Sequence, residues 1–402
     1  MNTFRLIALG WVMFVFSAFT LIGQEAEKIE KKGYEFTLVK EVPNTAVPNQ
    51  FRSGTCWSFS GLALIEAEIL RTTGKTYNLS EMFVVHHAYS DKAKKYVRLH
   101  GNLNLGAGGG FSDVLDVIKR YGMIPEKEYS GLVINEENHT HGEMDEVLKA
   151  YADAVIKNAN RRLTPVWHQG FESLLDTYLG SYPDKFVVDG KVFTPITFAE
   201  STGINADDYI EITSFTHCDL YKPFIMEIPD NWMWSETYNL PLNELLETLD
   251  HALENGYTVA WGADVSEKGF SWKNGLAVVP EDKLSDMSGT EKERWEALTP
   301  AERQKAIFSF DEIVVEKTIT PEMRQMAYDN YETTDDHGML FVGIARDQKG
   351  NKYYKVKNSW GTEDHKYVGY LFASVPFVQY KTINMVLHKD ALPKHIRKKL
   401  GL

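Results

Sequence analysis

Apolar and polar positions follow two different periods along this chain. From Trp57 to Arg71 the apolar residues Phe59, Leu62, Ala63, Ile65, Ile69 and Leu70 recur at helical spacing, broken only by serine, glutamate and small residues. The spacing predicts a largely buried helix whose first turn carries Cys56. Ser80 caps a second predicted helix running to about Val97, and Ser112 a third that is stopped by Gly122. Leu242 to Glu254 reads as a further helix stopped by Gly256, with a strand from Tyr257 to Val265 after it. Tyr34 to Val39, Phe341 to Ala345, Lys352 to Lys357 and Tyr370 to Ala373 read as strands. The predicted architecture is α+β, with a helical half followed by a β-rich half.

The start of the chain has neither period. Arg5 is the one charge before Glu25, and Leu6 to Gly23 is an apolar run ending near a small residue. This reads as a secretory signal over residues 1–23, giving an exported protein with no membrane contact after removal of the signal. The alternative is a retained anchor, since the run matches the ~18 to 20 residues that span a bilayer. The rest of the chain has ordinary composition, 43% apolar and 25% charged, and is long enough to bury a full core. The formal net charge of −13 argues against nucleic acid, because such a chain repels phosphates. The basic cluster Lys394-His395-Ile396-Arg397-Lys398-Lys399 reads as a solvated helix end.

Two cysteines, Cys56 and Cys218, are present. Neighbouring His217 and Cys218 alone cannot build a four-ligand site, so no metal and no other cofactor is expected. Cys56 differs in its surroundings. A thiol attacks an acyl carbon as its thiolate, which needs a base to take the proton and a helix N-terminus to favour the negative charge. His337, before the strand-like Met339 to Ile344, is the candidate base. Asn358 supplies the third group that holds an imidazole in one tautomer. Gln50, upstream of the nucleophile, offers a side-chain amide to the oxyanion together with the Cys56 N–H. Trp360 is placed to cover an Asn–His hydrogen bond. Gly109 and Gly110 lack a Cβ and let a substrate backbone approach closely.

The segments Gln50-x5-Cys56-Trp57-Ser58-Phe59, Asp336-His337-Gly338 and Asn358-Ser359-Trp360-Gly361 resemble the papain-like cysteine peptidases. Ser53-Gly54-Thr55-Cys56, Leu79-Ser80-Glu81-Met82, Gly109-Gly110 and Trp261-Gly262-Ala263-Asp264-Val265 resemble the bleomycin hydrolase and aminopeptidase C branch. Ser53 stands where papain has a disulfide-forming cysteine, so that disulfide is impossible here. The resemblance implies a papain-like two-lobed fold, a helical lobe plus a β-barrel-like lobe, with peptides as substrates. It implies catalytic roles for Cys56, His337, Asn358 and Gln50, and substrate-binding roles for Gly54, Gly109, Gly110 and Trp360. By the same resemblance the peptidase domain spans 24–402, and a homo-oligomer, a hexamer in that branch, is expected.

The roughly 280 residues between Cys56 and His337 exceed the ~130 to 150 of the compact arrangement, which predicts insertions at about 136–179 and 280–330. In this branch a C-terminal arm restricts cleavage to the peptide's end. Here little chain follows Pro393, so Leu402 is expected not to reach Cys56, and cleavage at internal bonds is expected over strict aminopeptidase action. Two other readings compete. A transglutaminase-like or other Cys-His acyltransferase would use a carboxylate as third group, which Asn358 is not. A non-catalytic binding protein on the same fold would have lost a catalytic residue.

Overall fold

The computed structural model describes residues 33–159, 162–281 and 297–402. The predicted signal segment and the region around Thr290 lie outside the described residues. Helix α1 (Cys56–Thr73) runs through the middle of the molecule, and every residue from Trp57 to Ile69 is buried. A helix enclosed on all sides needs apolar residues all round, which explains its broad apolar pattern. Of its two buried carboxylates, Glu66 is held by Thr45 Oγ1 (2.6 Å) and the Leu79 N–H (2.7 Å). Helices α2 (Glu81–Arg98), α3 (Phe111–Tyr121), α4 (Gly142–Ile156), α5 (Val166–Leu179) and α6 (Pro195–Thr202) complete a helical lobe sharing one apolar core with α1. Ser80 caps α2 by accepting from the Phe83 N–H at 3.1 Å, as its position predicts. At α3 the cap is Gly110 rather than Ser112, which lies inside the first turn; the Gly110 N–H is taken by Asp113. The predicted insertion at 136–179 contains α4 and α5, whose Met144, Leu148, Phe171 and Leu175 join the lobe's core.

The second lobe is a sheet. Its central strands are β7 (Val259–Ala263) and β10 (His337–Asp347), paired antiparallel with His337 opposite Ala263 and Gly338 opposite Gly262. β10 also pairs with β1 (Phe36–Glu41) and β11 (Lys352–Lys357), and β11 with β12 (Tyr370–Ser374). On the other flank β13 (Thr382–His388) pairs with β7 and with β4 (Tyr209–Thr213). Helix α7 (Leu242–Glu254) and the C-terminal helix α11 (Lys394–Leu400) cover one face, burying Leu245, Leu249, Leu253 and Ile396 in a second core. The basic cluster on α11 is anchored by ion pairs, Lys399 to Glu244 at 2.6 Å and Arg397 to Asp390 at 2.6 Å. The fold is thus α+β and papain-like in its two lobes. Because α1 packs against β10, the junction of the lobes brings the start of α1 to the start of β10.

Candidate active site

Cys56 is the first residue of α1, on a chain that enters through Gly54 at φ +63°, a left-handed conformation that glycine adopts without strain. A Cβ on Gly54 would also lie 2.8 Å from Ala107 Cβ, so the entry loop packs tightly on the loop before α3. Trp57 is nearly inaccessible, and its Nε1 donates to Ala107 O at 3.0 Å, tying the same two loops together. Gly338, the second residue of β10, sits against the start of α1: a Cβ there would fall 2.6 Å from Ser60 Oγ and 3.4 Å from Cys56 O. Ser60 Oγ in turn donates to Cys56 O at 2.6 Å. Glycine at 338 therefore lets strand and helix approach closely enough for His337 and Cys56 to line one cavity.

His337 is buried, and its Nε2 lies 2.7 Å from Asn358 Oδ1. Asn358 Oδ1 also accepts from the Ser359 N–H at 2.8 Å, which fixes it as an acceptor. Nε2 must then carry the imidazole proton, leaving Nδ1 with the free lone pair. The Trp360 ring lies over the imidazole with centroids 4.6 Å apart and planes 32° apart. Gln50 enters the same network from the other side. Its backbone N–H donates to Ser359 O (2.8 Å), and Ser359 Oγ donates to its Oε1 (2.6 Å). With Oε1 occupied by a donor, the amide of Gln50 is oriented so that its NH2 group is the end left to act. Ser359 thus links Gln50 to Asn358.

The electrostatics of the site favour neutral groups. Burial pushes the Cys56 thiol up to about 12, with the fields of Asp335 and Asp230 adding to it; N–H groups of Gly338 and Trp57 pull the other way. Burial lowers His337 to about 4 against the Asn358 hydrogen bond and the field of Asp336. Both shifts arise from the cost of burying one charge alone, and a thiolate and an imidazolium formed together offset each other. The two groups line one cavity, with Cys56 at the N-terminus of α1, where a negative charge is favoured.

The cavity around Cys56 is lined by Gly54, Trp57, Gly108, Gly109, Gly110, Gly262 and Gly338, and by Glu211, Asp230, Asp335, Asp336 and Asn384. Gly109 is packed against Trp57 and Asp113, where a Cβ would lie 2.6 Å from Asp113 Oδ2. Of the residues singled out from sequence, Cys56, His337, Gly54, Gly109 and Gly110 line this cavity. Asn358, Gln50 and Trp360 do not; they form the network behind and beside His337. Trp360 accordingly shields the imidazole, and the structure does not place it in the substrate cavity. The His217–Cys218 pair is elsewhere, with His217 Nδ1 3.1 Å from Gln325 Oε1. Sequence reasoning missed Ser359, whose role depends on its two partners, and the acids Glu211 and Asp230, which arrive from distant segments. Asp335 was visible two residues before His337, though nothing in the sequence set it apart.

Comparison with known proteins agrees with this geometry. Residues 301–401, which hold His337 and Asn358, match the model of the Peptidase C1-like family. The chain is 23% identical over 399 residues to aminopeptidase G of Lactobacillus delbrueckii subsp. lactis, covering 88% of this chain and 83% of that protein. It is likewise 23% identical over 418 residues to aminopeptidase C of the same organism, covering 90% and 83%. The crystal structure of PepW from Lactobacillus rhamnosis HN001 superposes with a TM-score of 0.68 at 19% identity, covering 91% of this chain and 84% of that one. Together these matches indicate a cysteine peptidase. Over most of its length the chain is similar to aminopeptidases G and C.

Proposed function

We propose that this protein hydrolyses peptide bonds through an acyl-thioenzyme on Cys56. The observation that carries this reading is the His337 Nε2–Asn358 Oδ1 bond of 2.7 Å, which leaves Nδ1 as the acceptor on an imidazole that shares a cavity with Cys56. Cys56 Sγ attacks the carbonyl carbon while its proton passes to His337 Nδ1. The imidazolium then gives that proton to the leaving amine. Water, deprotonated by His337, attacks the thioester, and the acid departs as the thiol re-forms. The Cys56 N–H and the Gln50 amide stabilise the oxyanion, and Asn358 with Trp360 holds the ring. An amide as third group, accepting from Nε2–H, favours a peptidase over a carboxylate-assisted acyltransferase.

Removing one oxyanion donor costs ~10²- to 10³-fold in kcat. Gln50→Ala is therefore expected to lower kcat by about that factor with KM little changed, measured on a fluorogenic peptide. A rise in KM alone would make Gln50 a substrate-binding residue.

Digestion of a peptide library, analysed by mass, tests the function itself. Release of new amino termini supports peptide hydrolysis, and an untouched library contradicts it. The names of the relatives support action at amino termini. Helix α11 (Lys394–Leu400) packs on α7, and no residue from 394 to 402 lines the cavity. These residues therefore do not restrict the cleft.

We further propose that the protein is exported through cleavage of residues 1–23 and that it assembles as a homo-oligomer, on the sequence features and resemblance given above. Amino-terminal sequencing of the mature chain tests the first: a start near residue 24 is expected, and an intact Met1 would contradict it.

A further inference from the structure

Among the described residues four carboxylates line the cavity that holds Cys56, and no lysine or arginine does. Three have donors of their own. Glu211 accepts from Thr237 Oγ1 (2.7 Å) and Asn384 Nδ2 (2.9 Å). Asp230 accepts from Asn104 Nδ2 (2.8 Å) and feels the charge of buried Lys92, whose Nζ is engaged by Gly106 O and Gly108 O behind the cavity wall. Asp336 turns away to the Ser266 N–H (3.1 Å), Ser266 Oγ and Thr334 Oγ1 (2.7 Å). Asp335 alone of the four has no hydrogen bond or ion pair among the described residues; it is half-buried and lines the cavity. Burial, then the fields of Asp230, Glu211 and Asp336, push its carboxyl up to about 8. Alone, such a group keeps its proton; a cation arriving beside it favours the ionised form and gains a charged partner.

Its position says where that cation belongs. Asp335 lines the same cavity as Cys56 and His337, so the group it meets lies on the side of the scissile bond that this cavity holds. Gln50 and Trp360 stand outside this cavity, whereas Gly109 and Gly110, read here as the backbone-holding pair, line it. Resting on the peptidase reading above, we propose that Asp335, backed by Asp230 and Glu211, binds a cationic group in the acyl part of the substrate. An alkylammonium or guanidinium fits, whether it is the free α-amine of a chain end or the side chain of a lysine or arginine one residue before the cleaved one. In the first case the cavity wall itself confers aminopeptidase selectivity.

The test compares kcat/KM on two pairs of aminocoumarin amides: alanyl against acetyl-alanyl, and acetyl-lysyl-alanyl against acetyl-norleucyl-alanyl. A charge-assisted hydrogen bond corresponds to about tenfold or more in discrimination. The protein should therefore prefer the cationic member of at least one pair by about that factor. Asp335→Asn should bring that ratio close to one, and Asp335→Glu should restore part of it. Preference in the first pair identifies the α-amine, and in the second the basic side chain. A purely structural role for Asp335 would lower all four rates together and leave the ratios alone, because each ratio is read on one preparation. Equal rates within both pairs for the unaltered protein, or a preference that survives Asp335→Asn, would overturn the inference. If all four amides were untouched and Cys56 resisted iodoacetamide, the peptidase reading would fail, and this subsite with it.

Discussion

Cys56→Ala is expected to reduce peptide hydrolysis to background and to abolish labelling by an epoxide thiol reagent, with the thermal midpoint nearly unchanged. The first two effects follow because the attacking atom is gone, and no other group lining the cavity is a thiol or hydroxyl nucleophile except Ser112, at the first turn of α3. The fold is expected to persist because the backbone at 56 is fixed by neighbours. Ser60 Oγ holds the Cys56 carbonyl, and Gly338 packs against it. Cys218 provides an internal control. It is also a free thiol, its pKa raised by burial and then by the fields of Glu227 and Asp219, and it stands outside the cavity. Labelling that moves to Cys218 at full extent in the variant would contradict the assignment of Cys56.

His337→Ala is expected to lower kcat by roughly 10²- to 10⁴-fold, the usual worth of a positioned acid–base group. The site makes the upper end of that range reasonable. With burial holding the Cys56 thiol near 12, a thiolate forms at neutral pH only if its proton has somewhere to go, and the imidazole is what offsets the new charge. The variant should also alkylate slowly with iodoacetamide, because that reaction consumes the thiolate and not the thiol. Near-normal turnover together with near-normal alkylation would remove His337 from the mechanism.

Much of this was legible in the sequence, for reasons that differ by residue. Helix α7 follows from the sequence over Leu242 to Glu254 because its apolar period is sharp and Gly256 follows it. The strand that carries His337 was read from Met339 onward, but its first two residues were not, since histidine and glycine carry no β signal and only pairing with Gly262 and Ala263 makes them strand. Ser112 looked like a helix cap because serine usually is one. The backbone placed Gly110 there instead, leaving Asp113 to answer its N–H. At the site, Cys56, His337, Asn358 and Gln50 were recognisable because acyl transfer to a thiol demands those chemical types. Ser359 and Asp335 were not. The first matters only through Gln50 and Asn358, which the fold brings together across the two lobes. The second matters only because Asp230 and Glu211, from the long segment between Cys56 and His337, end up beside it.

The most direct test of the central claim is to trap the acyl-thioenzyme. The protein is mixed with a slowly deacylating peptide ester, quenched in acid within the first turnover, digested and mapped by mass spectrometry. The account predicts the acyl group of the ester on the peptide that contains Cys56, with a burst of alcohol equal to one per active site. An unmodified Cys56 during active turnover, or the acyl group on Cys218 or on a serine, would contradict it.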